Sequence, residues 1–570
     1  MMEQIPQLSP QRLALHHEIF RSSLANAIRF GERNPEAAAG WALLSAEVAD
    51  KMGCGRLMSA ELEELLVKLA PRIPVPKRGR PTDRRRWLHV FSETYSIGGH
   101  TALAARWIAL DSGQDRHSLV TTVQETADVP QMMYEAIISK GGSIHGLGRV
   151  KSLNERARLL REIAWKEADV VVLHIHMWDV VPVIAFGVPG GPPVLLLNHA
   201  DHTFWVGAAV ADRIINLRRS GQEVAEKWRG IYRHVYLPIP LPLLSRRDPN
   251  LGRAIRTELG IPELTPVFLT VGSHFKYLAT GEVNFIDTAC RLLKTVPDAY
   301  LIAVGPAADH ADWQAARDVT GGRLMAVGPK DELAGYFAAA DVYIEGFPFG
   351  SLTALLEAGL AGLPCVRAPI LCPPPFTSDD EALDHLPQPS DLDDYISQAT
   401  ALATSPTSRR SQNKALKEAI GKVHLGTGWQ LFLDEIKACL PAQHDIHQVS
   451  APPFPSLWEQ YWLPYLVRRL GGDPLLFFYV KGHRLGLAPR PSLRLLLTAL
   501  RAAIPEHPHG TPGPIALGLF RTLIDPIANI LPFANGRANH KWWPRLILDY
   551  WYGRYVGWRI KAVNEKSEIK

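Results

Sequence analysis

From Trp87 onwards, short runs of consecutive apolar residues alternate with segments of helical periodicity. Continuous Val/Leu runs separated by helices are typical of parallel sheets covered on both faces. The runs fall into two series, and the second contains the helical patterns Asn284–Val296 and Asp331–Ala340. The predicted strands are Leu88–Phe91, Ser118–Val123, Asp169–Leu173 and Pro193–Leu197, then Val267–Val271, Tyr300–Val304, Arg323–Val327, Val342–Ile344 and Cys365–Val366. The fold class predicted is α/β, with two tandem Rossmann-like domains.

The segments outside these two series have other patterns. Leu13–Phe30 and Glu61–Ala70 are helical in period, whereas residues 71–86 are rich in proline and charge and indicate a linker. Tyr236–Pro242 reads as the hinge between the two sheets. The predicted domains are a helical N-terminal domain with its linker (1–84), a first Rossmann-like domain (85–243), a second (244–440), and an aromatic, basic C-terminal extension (441–570).

Length, amino-acid composition and cysteine content indicate what class of protein this is. With 570 residues, 46% hydrophobic and 21% charged, the chain has an ordinary globular composition and is too long for one core. Its five cysteines are scattered without metal-ligand spacing, which predicts neither a disulfide framework nor a zinc site. The first residues carry no basic start or apolar core of a signal peptide. We therefore expect a cytoplasmic protein.

The positive charge of the chain is concentrated in its last part. Residues 451–570 hold 16 Lys/Arg against 7 Asp/Glu and six of the 15 tryptophans, whereas the whole chain carries only +5. No apolar run approaches the ~20 residues that cross a bilayer. Two interpretations stay open: peripheral attachment to an anionic membrane at its inner face, or an aromatic core packed on the other domains. A nucleic-acid surface is not expected, because no recognisable motif accompanies the charge.

A Gly/Pro turn followed by a helix is the most informative single segment. It follows the predicted strand Val342–Ile344 and runs through Gly350, Ser351, Leu352 and Thr353. A turn that opens a helix directs unpaired N–H groups and the positive dipole end at one spot, which suits a diphosphate. Lys276, a few residues after Val267–Val271, can reach the same spot. The alternative interpretation is an ordinary connection between a strand and a helix of a parallel sheet.

Polar side chains also follow the predicted strands of the first domain, where ligands of such sheets bind. Gly98 and Gly99 follow the first strand and allow backbone amides to approach a phosphate or sugar. Histidine and aspartate are common proton-transfer groups, and tryptophan is a common surface for sugars. Histidines can equally be core or helix-capping residues. The candidate cluster at this edge contains His174, His176, Trp178, Asp179, His199, Asp201, His202 and Trp205.

In the order of these motifs, residues 87–440 resemble the GT-B glycosyltransferases, especially the large group-1 family. The motifs that carry the resemblance are Gly98-Gly99, Asp169–His176, Pro193–His199, Val271-Gly272 with Lys276, Ala339–Tyr343, Leu356–Ala358 and Gly362–Pro364. The resemblance implies that the second domain binds a nucleotide-sugar and the first domain binds the acceptor. It further implies that Lys276 and the Ser351–Thr353 turn hold the diphosphate and that Glu357 contacts the ribose.

The sequence departs from that family at the donor turn. The family has two glutamates separated by seven residues, but the position eight before Glu357 is Phe349, and Glu345 lies four residues further away. The turn Pro348–Thr353 is more similar to bacterial protein N-glucosyltransferases and protein O-linked N-acetylglucosamine transferases. Ser273 also stands where many group-1 members have arginine. Retention or inversion of the sugar's configuration therefore stays open.

The predicted function is sugar transfer from a nucleotide-diphosphate sugar, of UDP or GDP type, to a glycan, glycolipid or protein. Cationic donors at Lys276 and the helix end stabilise the leaving diphosphate, so neither metal nor any other cofactor is expected. His199, Asp201 and His202 are the candidates for a general base. Cell-surface polysaccharide biosynthesis is the process that the resemblance implies. The alternative is a non-catalytic sugar-nucleotide or glycan-binding protein on the same fold.

Overall fold

The computed structural model describes residues 10–31, 33–80, 82–96, 99–243, 247–280, 282–371, 376, 378–450, 452, 474–487, 494, 495 and 498. All of them belong to one compact unit, Met1–Ala516, and the second unit, Leu517–Lys570, lies outside the described residues. Within the described part of the chain, no helix combines the length and the apolar character that crossing a membrane would require.

The N-terminal helices are joined firmly to the first sheet domain. They are α1 (Pro10–Gly31), α2 (Pro35–Val48) and α3 (Ala60–Leu69). The fully buried Arg161 donates hydrogen bonds to the carbonyls of Ala70 and Ile73 at 3.0 and 2.6 Å, and others to the first domain. The buried carboxylate of Glu63 accepts the N–H groups of Gly207–Ala209. These contacts tie the N-terminal helices to the first sheet domain.

The first sheet is parallel throughout and seven-stranded among the described residues, with the order β3-β2-β1-β4-β5-β6-β7. Its strands are β1 (Arg86–Phe91), β2 (Arg116–Thr121), β3 (Ile144–Gly146), β4 (Val170–His174), β5 (Val194–Asn198), β6 (Arg213–Asn216) and β7 (His234–Tyr236). Its helices are α4 (Gly99–Leu110), α5 (Gln131–Ser139), α6 (Leu153–Glu167), α7 (Val180–Phe186) and α8 (Arg219–Arg229). The central strands are buried on both faces, as continuous apolar runs predict.

The second sheet is also parallel, with the order β10-β9-β8-β11-β12 among the described residues. Its strands are β8 (Val267–Val271), β9 (Tyr300–Val304), β10 (Leu324–Ala326), β11 (Val342–Ile344) and β12 (Cys365–Val366). Its helices are α9 (Pro249–Glu258), α10 (Phe285–Thr295), α11 (Ala311–Val319), α12 (Ala334–Ala339), α13 (Leu352–Leu360), α14 (Leu392–Thr404), α15 (Pro406–His424) and α16 (Gly426–Ala438). The fold class of two tandem Rossmann-like domains is confirmed, and it is the arrangement that the GT-B resemblance implies.

Helix α16 crosses back to the first sheet domain. Lys437 lies 3.0 Å from Asp111, and Trp429 Nε1 donates to the carbonyl of Pro238 at 2.8 Å. The last described helix, α17 (Pro474–Arg484), packs on the N-terminal helices, where Lys481 pairs with the buried Glu47 at 2.8 Å. Both interpretations of the extension, membrane attachment and an aromatic core, stay predictions. The aromatic segments at 458–462 and 541–561 lie outside the described residues.

Three strands of the first sheet were not predicted from the sequence. They are β3, β6 and β7, which are three or four residues long and contain polar side chains such as Arg213, Asn216 and His234. β3 and β7 are the edge strands and β6 is next to the edge, and all three lack the longer continuous apolar run on which the prediction depends. Missing β6 mattered for the site, because the residue that binds Asp201 follows that strand.

Candidate functional site

The predicted donor turn opens the helix α13. Ser351 precedes the helix, and no side-chain hydrogen bond caps α13 within the described residues. The Ser351 hydroxyl instead accepts a hydrogen bond from Lys276 Nζ at 3.0 Å, and Lys276 also approaches the carbonyl of Gly350 at 3.4 Å. A helix N-terminus presents up to four backbone N–H groups that lack intrahelical partners. The structure thus places an ammonium group at the positive end of a helix.

Close packing leaves room only for glycine within this turn. A Cβ on Gly350 would lie 2.7 Å from Glu345 Oε1, 2.8 Å from Ser378 Oγ and 3.1 Å from the carbonyl of Phe376. The Gly350 N–H donates to that same carbonyl at 2.7 Å. The buried Glu345 accepts the N–H of Ala368 at 2.9 Å, and burial raises the pKa of its carboxyl group. These contacts fix the backbone that leads into α13.

Lys276 is held in an environment that disfavours its charge. Burial and, to a smaller extent, the positive charge of Arg218 together lower the pKa of Lys276 to about 8, although Glu345 opposes the shift. The ammonium group lies 5.1 Å from the centre of the Phe349 ring. A second negative charge at this place would favour the protonated form. The surroundings of Lys276 therefore suit an anionic ligand.

Arg218 is a site residue that the sequence reasoning missed. It follows β6 and immediately precedes α8. Its Nε and Nη2 atoms donate to the two oxygens of Asp201 at 2.6 and 2.7 Å. From the last turn of the same helix, the buried Arg229 donates to the carbonyls of Asp201 and Thr203 at 2.9 and 2.5 Å. Helix α8 therefore holds the loop after β5 through arginines at both of its ends.

The three candidate bases have different surroundings. Burial acts to raise the pKa of Asp201, but Arg218 and His202 hold it well below its ordinary range. His202 Nδ1 lies 3.3 Å from Asp201 Oδ1, and its ring lies 5.0 Å from the ring of Phe349 in the donor turn. Burial lowers the pKa of His202, and Asp201 opposes that shift. The structure thus brings His202 and Asp201 together at the donor turn.

His199 packs on another histidine. Its ring stacks on His100 with centroids 3.9 Å apart, and its Nδ1 lies 3.2 Å from the carbonyl oxygen of Leu197. Burial lowers the pKa of His199 to about 4. Its neighbours His176 and His202 add to this shift because their positive forms would repel a charge on His199. His199 is therefore neutral at physiological pH.

The remaining predicted residues occupy several places. Glu357, in α13, forms an ion pair with Arg106 of α4 at 3.0 Å, and burial raises the pKa of its carboxyl group. Gly99 is the exposed first residue of α4, whereas Gly98 lies outside the described residues. Leu352 is buried and Thr353 partly buried in the first turn of α13. The ribose role of Glu357 stays a prediction, and its described partner is an arginine of the other sheet domain.

Across the described ranges, no group of three or more His, Cys, Asp or Glu side chains is arranged to hold a metal ion. The charged groups that meet at the donor turn are Lys276 and Arg218, with Asp201 and Glu345 as counter-charges. This arrangement can bind an anion between two cations and a helix end.

Among known proteins, this chain is similar only in fold to solved structures. No protein-family model matches the chain, and no curated protein matches it. Among solved structures, a mutant of the Thermobaculum terrenum O-GlcNAc transferase is 14% identical with a TM-score of 0.44, covering 75% of this chain and 81% of that one. A glycosyltransferase from Rickettsia africae is 9% identical with a TM-score of 0.47, covering 63% and 98%. HepE from Anabaena, in complex with UDP and glucose, is 14% identical with a TM-score of 0.46, covering 63% and 100%.

Proposed function

We propose that this protein is a glycosyltransferase that uses a nucleoside-diphosphate sugar, of UDP or GDP type, as donor. The observation that carries the proposal is the contact of Phe349 with both a cation and an imidazole. Lys276 Nζ lies over its ring at 5.1 Å, and the His202 ring meets it at 5.0 Å. Groups suited to a leaving diphosphate and to a proton acceptor therefore meet at one turn.

The donor side of the reaction depends on stabilising negative charge. As the bond between the sugar and the diphosphate breaks, charge develops on the leaving oxygen and must be compensated. Lys276, the Ser351 hydroxyl and the N–H groups at the start of α13 supply donors that are already positioned. Arg218 adds a second positive charge close enough to lower the pKa of Lys276. Protein groups suffice for this step, and we propose a metal-independent transfer.

The acceptor side depends on removing one proton. If the His202 Nδ1–H donates to the ionised Asp201, the lone pair of the ring lies on Nε2. We propose that this nitrogen takes the proton of the acceptor's hydroxyl or amide as the acceptor bonds to the sugar and the diphosphate departs. Asp201, held by Arg218, then orients the ring and stabilises its positive form. The roles of His199 and Asp201 as bases are weaker proposals, because burial and ion pairing keep both from accepting a proton near neutral pH.

Binding of nucleoside diphosphates tests this proposal first. A ligand that binds only the native state raises its apparent stability, so a thermal-shift panel of UDP, GDP, ADP and the matching nucleosides should identify the nucleotide. We expect at least one diphosphate to stabilise the protein more than its nucleoside. Equal shifts for all compounds would contradict the diphosphate site. We further propose a glycan, glycolipid or protein as the acceptor.

A further inference from the structure

The buried histidines of the first sheet form one hydrogen-bonded chain that begins at a carboxylate. His117 Nε2 lies 3.1 Å from Asp111 Oδ2, and His117 Nδ1 lies 2.9 Å from His89 Nε2. His89 Nδ1 in turn lies 2.9 Å from His174 Nε2. All four side chains are fully buried. The chain crosses β2, β1 and β4 diagonally and ends at the last residue of β4, at the carboxyl edge of the sheet.

The carboxylate at one end fixes the proton on every ring of the chain. Burial acts to raise the pKa of Asp111, but hydrogen bonds from His117 and Lys437 hold it well below its ordinary range, so it accepts. Burial keeps His89 and His174 neutral, and a neutral imidazole has one N–H and one lone pair. Each ring therefore donates from Nε2 and accepts at Nδ1. The last Nδ1, on His174, carries a lone pair and has no hydrogen-bond partner among the described residues.

The two ends of the chain face different groups. At the Asp111 end, Lys437 lies 3.0 Å from the carboxylate and is itself paired with Asp115 at 3.0 Å. Lys140 donates to the Asp111 carbonyl at 2.5 Å. At the other end, the titratable neighbours of His174 are histidines at the carboxyl edge of the sheet. Uncharged aromatic rings pack against the histidines in the middle of the hydrogen-bonded chain. These neighbours are His100, His199 and His176 at the edge, and Trp87, Phe91 and Trp107 along the chain.

A chain of this kind is costly as a purely structural feature. Three buried polar rings and one buried nitrogen without a partner occupy a place that apolar side chains fill in the rest of this core. An unsatisfied buried acceptor loses its hydrogen bonds to water without gaining others, which destabilises the folded state. Native cores rarely keep such groups, and each one calls for an explanation. Because the histidine chain ends next to the histidines at the carboxyl edge, we look for its role in the reaction at that edge.

We propose that Asp111, His117, His89 and His174 form a charge relay that tunes the proton affinity of the histidines at the carboxyl edge. The relay rests on the proposed function, and its members are positioning residues, because none of them touches the donor turn. When His202 takes the acceptor's proton, its positive charge lies close enough to His199 to act on the pKa of that ring, and His199 is connected through His100 to His174. The His174 ring lies 6.0 Å from His100, which stacks on His199. The polarised N–H···N bonds carry the negative charge of Asp111 toward this edge and stabilise that positive charge.

Two variants and one matched control test the relay. Asp111→Asn keeps an oxygen acceptor for His117 but removes the charge, and His89→Phe breaks the chain while filling a similar volume. Trp107→Phe is the control, since Trp107 packs on the rings of His89 and His174 but makes none of the chain's hydrogen bonds. The measurement is the pH dependence of kcat with a sugar donor of the nucleotide that the thermal-shift panel identifies.

Loss of the carboxylate charge should lower the pKa of the edge base and make it a weaker base. We therefore expect kcat to fall about tenfold and the acidic limb to move to lower pH in Asp111→Asn and His89→Phe, with Trp107→Phe unchanged. Profiles that superimpose on that of the wild type would refute the relay alone. A wild-type protein without turnover would refute the proposed function and the relay with it. If the His89→Phe variant fails to fold, the pH profile of Asp111→Asn alone tests the relay.

A spectroscopic readout is independent of turnover. In protein labelled with 15N-histidine, His89, His117 and His174 should each show a protonated Nε2 and an unprotonated Nδ1. The variant His89→Phe should remove one of these three signals and free His117 to change tautomer. A protonated Nδ1 on any of the three rings in the wild type would contradict the proposed relay.

Discussion

Replacement of Lys276 by alanine removes the one ammonium group that contacts the start of α13 in the described structure. Its Nζ lies 3.0 Å from Ser351 Oγ, so a bound diphosphate oxygen at this place would accept a charge-assisted hydrogen bond from it. Such bonds contribute about 1.5–3 kcal/mol, and each 1.4 kcal/mol corresponds to tenfold in affinity. We therefore expect the affinity for the nucleoside diphosphate to fall by one to two orders of magnitude, with the affinity for the nucleoside unchanged.

Calorimetric titration at several pH values makes this test sharper. With a pKa of about 8, Lys276 loses its charge as the pH rises, so the wild type should bind the diphosphate about fourfold more weakly at pH 8.5 than at pH 7. The Lys276→Ala variant should lack this pH dependence. Lys294→Ala, which removes an exposed lysine of the same domain, is the matched control. Equal affinity in wild type and Lys276→Ala would refute the assignment of Lys276 to the diphosphate.

Other changes have outcomes that follow from the same geometry. His202→Ala should lower turnover about 10²–10⁴-fold while donor affinity stays, and similar turnover in the variant would show that the base lies elsewhere. Gly350→Ala should abolish diphosphate binding, because a Cβ would meet Glu345 Oε1 at 2.7 Å, and unchanged titration would contradict the packing described for the turn. Glu357→Gln should weaken binding of the nucleoside itself, and an effect confined to the phosphates would refute its ribose role. Co-sedimentation with anionic but not neutral vesicles, weakening with salt, checks the membrane interpretation of residues 451–570.

The order of apolar runs was sufficient to predict the two sheets. The central strands of both, such as β4, β5, β8 and β9, are continuous Val/Leu/Ile runs, and their observed bounds differ from the predicted ones by one or two residues at most. Burial on both faces explains this success, because a strand that must be apolar on both sides leaves a clear signal. The short strands β3, β6 and β7, at or next to the edges of the first sheet, have a weaker signal and were missed.

The sequence predicted only those parts of the site that are local in sequence or directly follow a predicted strand. The Gly350–Thr353 turn is local, and Lys276 follows a strand whose carboxyl end faces the same edge, so both were found from the sequence. Arg218 was missed because its partner Asp201 lies 17 residues away, across a strand that the pattern did not indicate. The ion pair of Arg106 with Glu357 joins residues 251 apart in the chain. Such pairs depend on how the two domains meet, which no local pattern encodes.

The histidine chain illustrates the same limit in a different way. His174 was noted as a residue at the end of a strand, whereas His89 lies inside the predicted strand Leu88–Phe91 and His117 lies just before the predicted strand Ser118–Val123. Their hydrogen bonds depend on the lateral order β2-β1-β4 and on a register that offsets the three rings diagonally. A single sequence predicts the strands but not their order in the sheet.

The central claim is that this chain transfers a sugar from a nucleoside-diphosphate donor. Release of free nucleoside diphosphate from a panel of UDP- and GDP-sugars, measured with and without acceptor mixtures, tests it most directly. We predict release above the rate without enzyme for at least one donor, reduced at least tenfold in both Lys276→Ala and His202→Ala. Tight binding of a nucleoside diphosphate with no release from any sugar nucleotide would contradict the claim and would identify a binding protein instead.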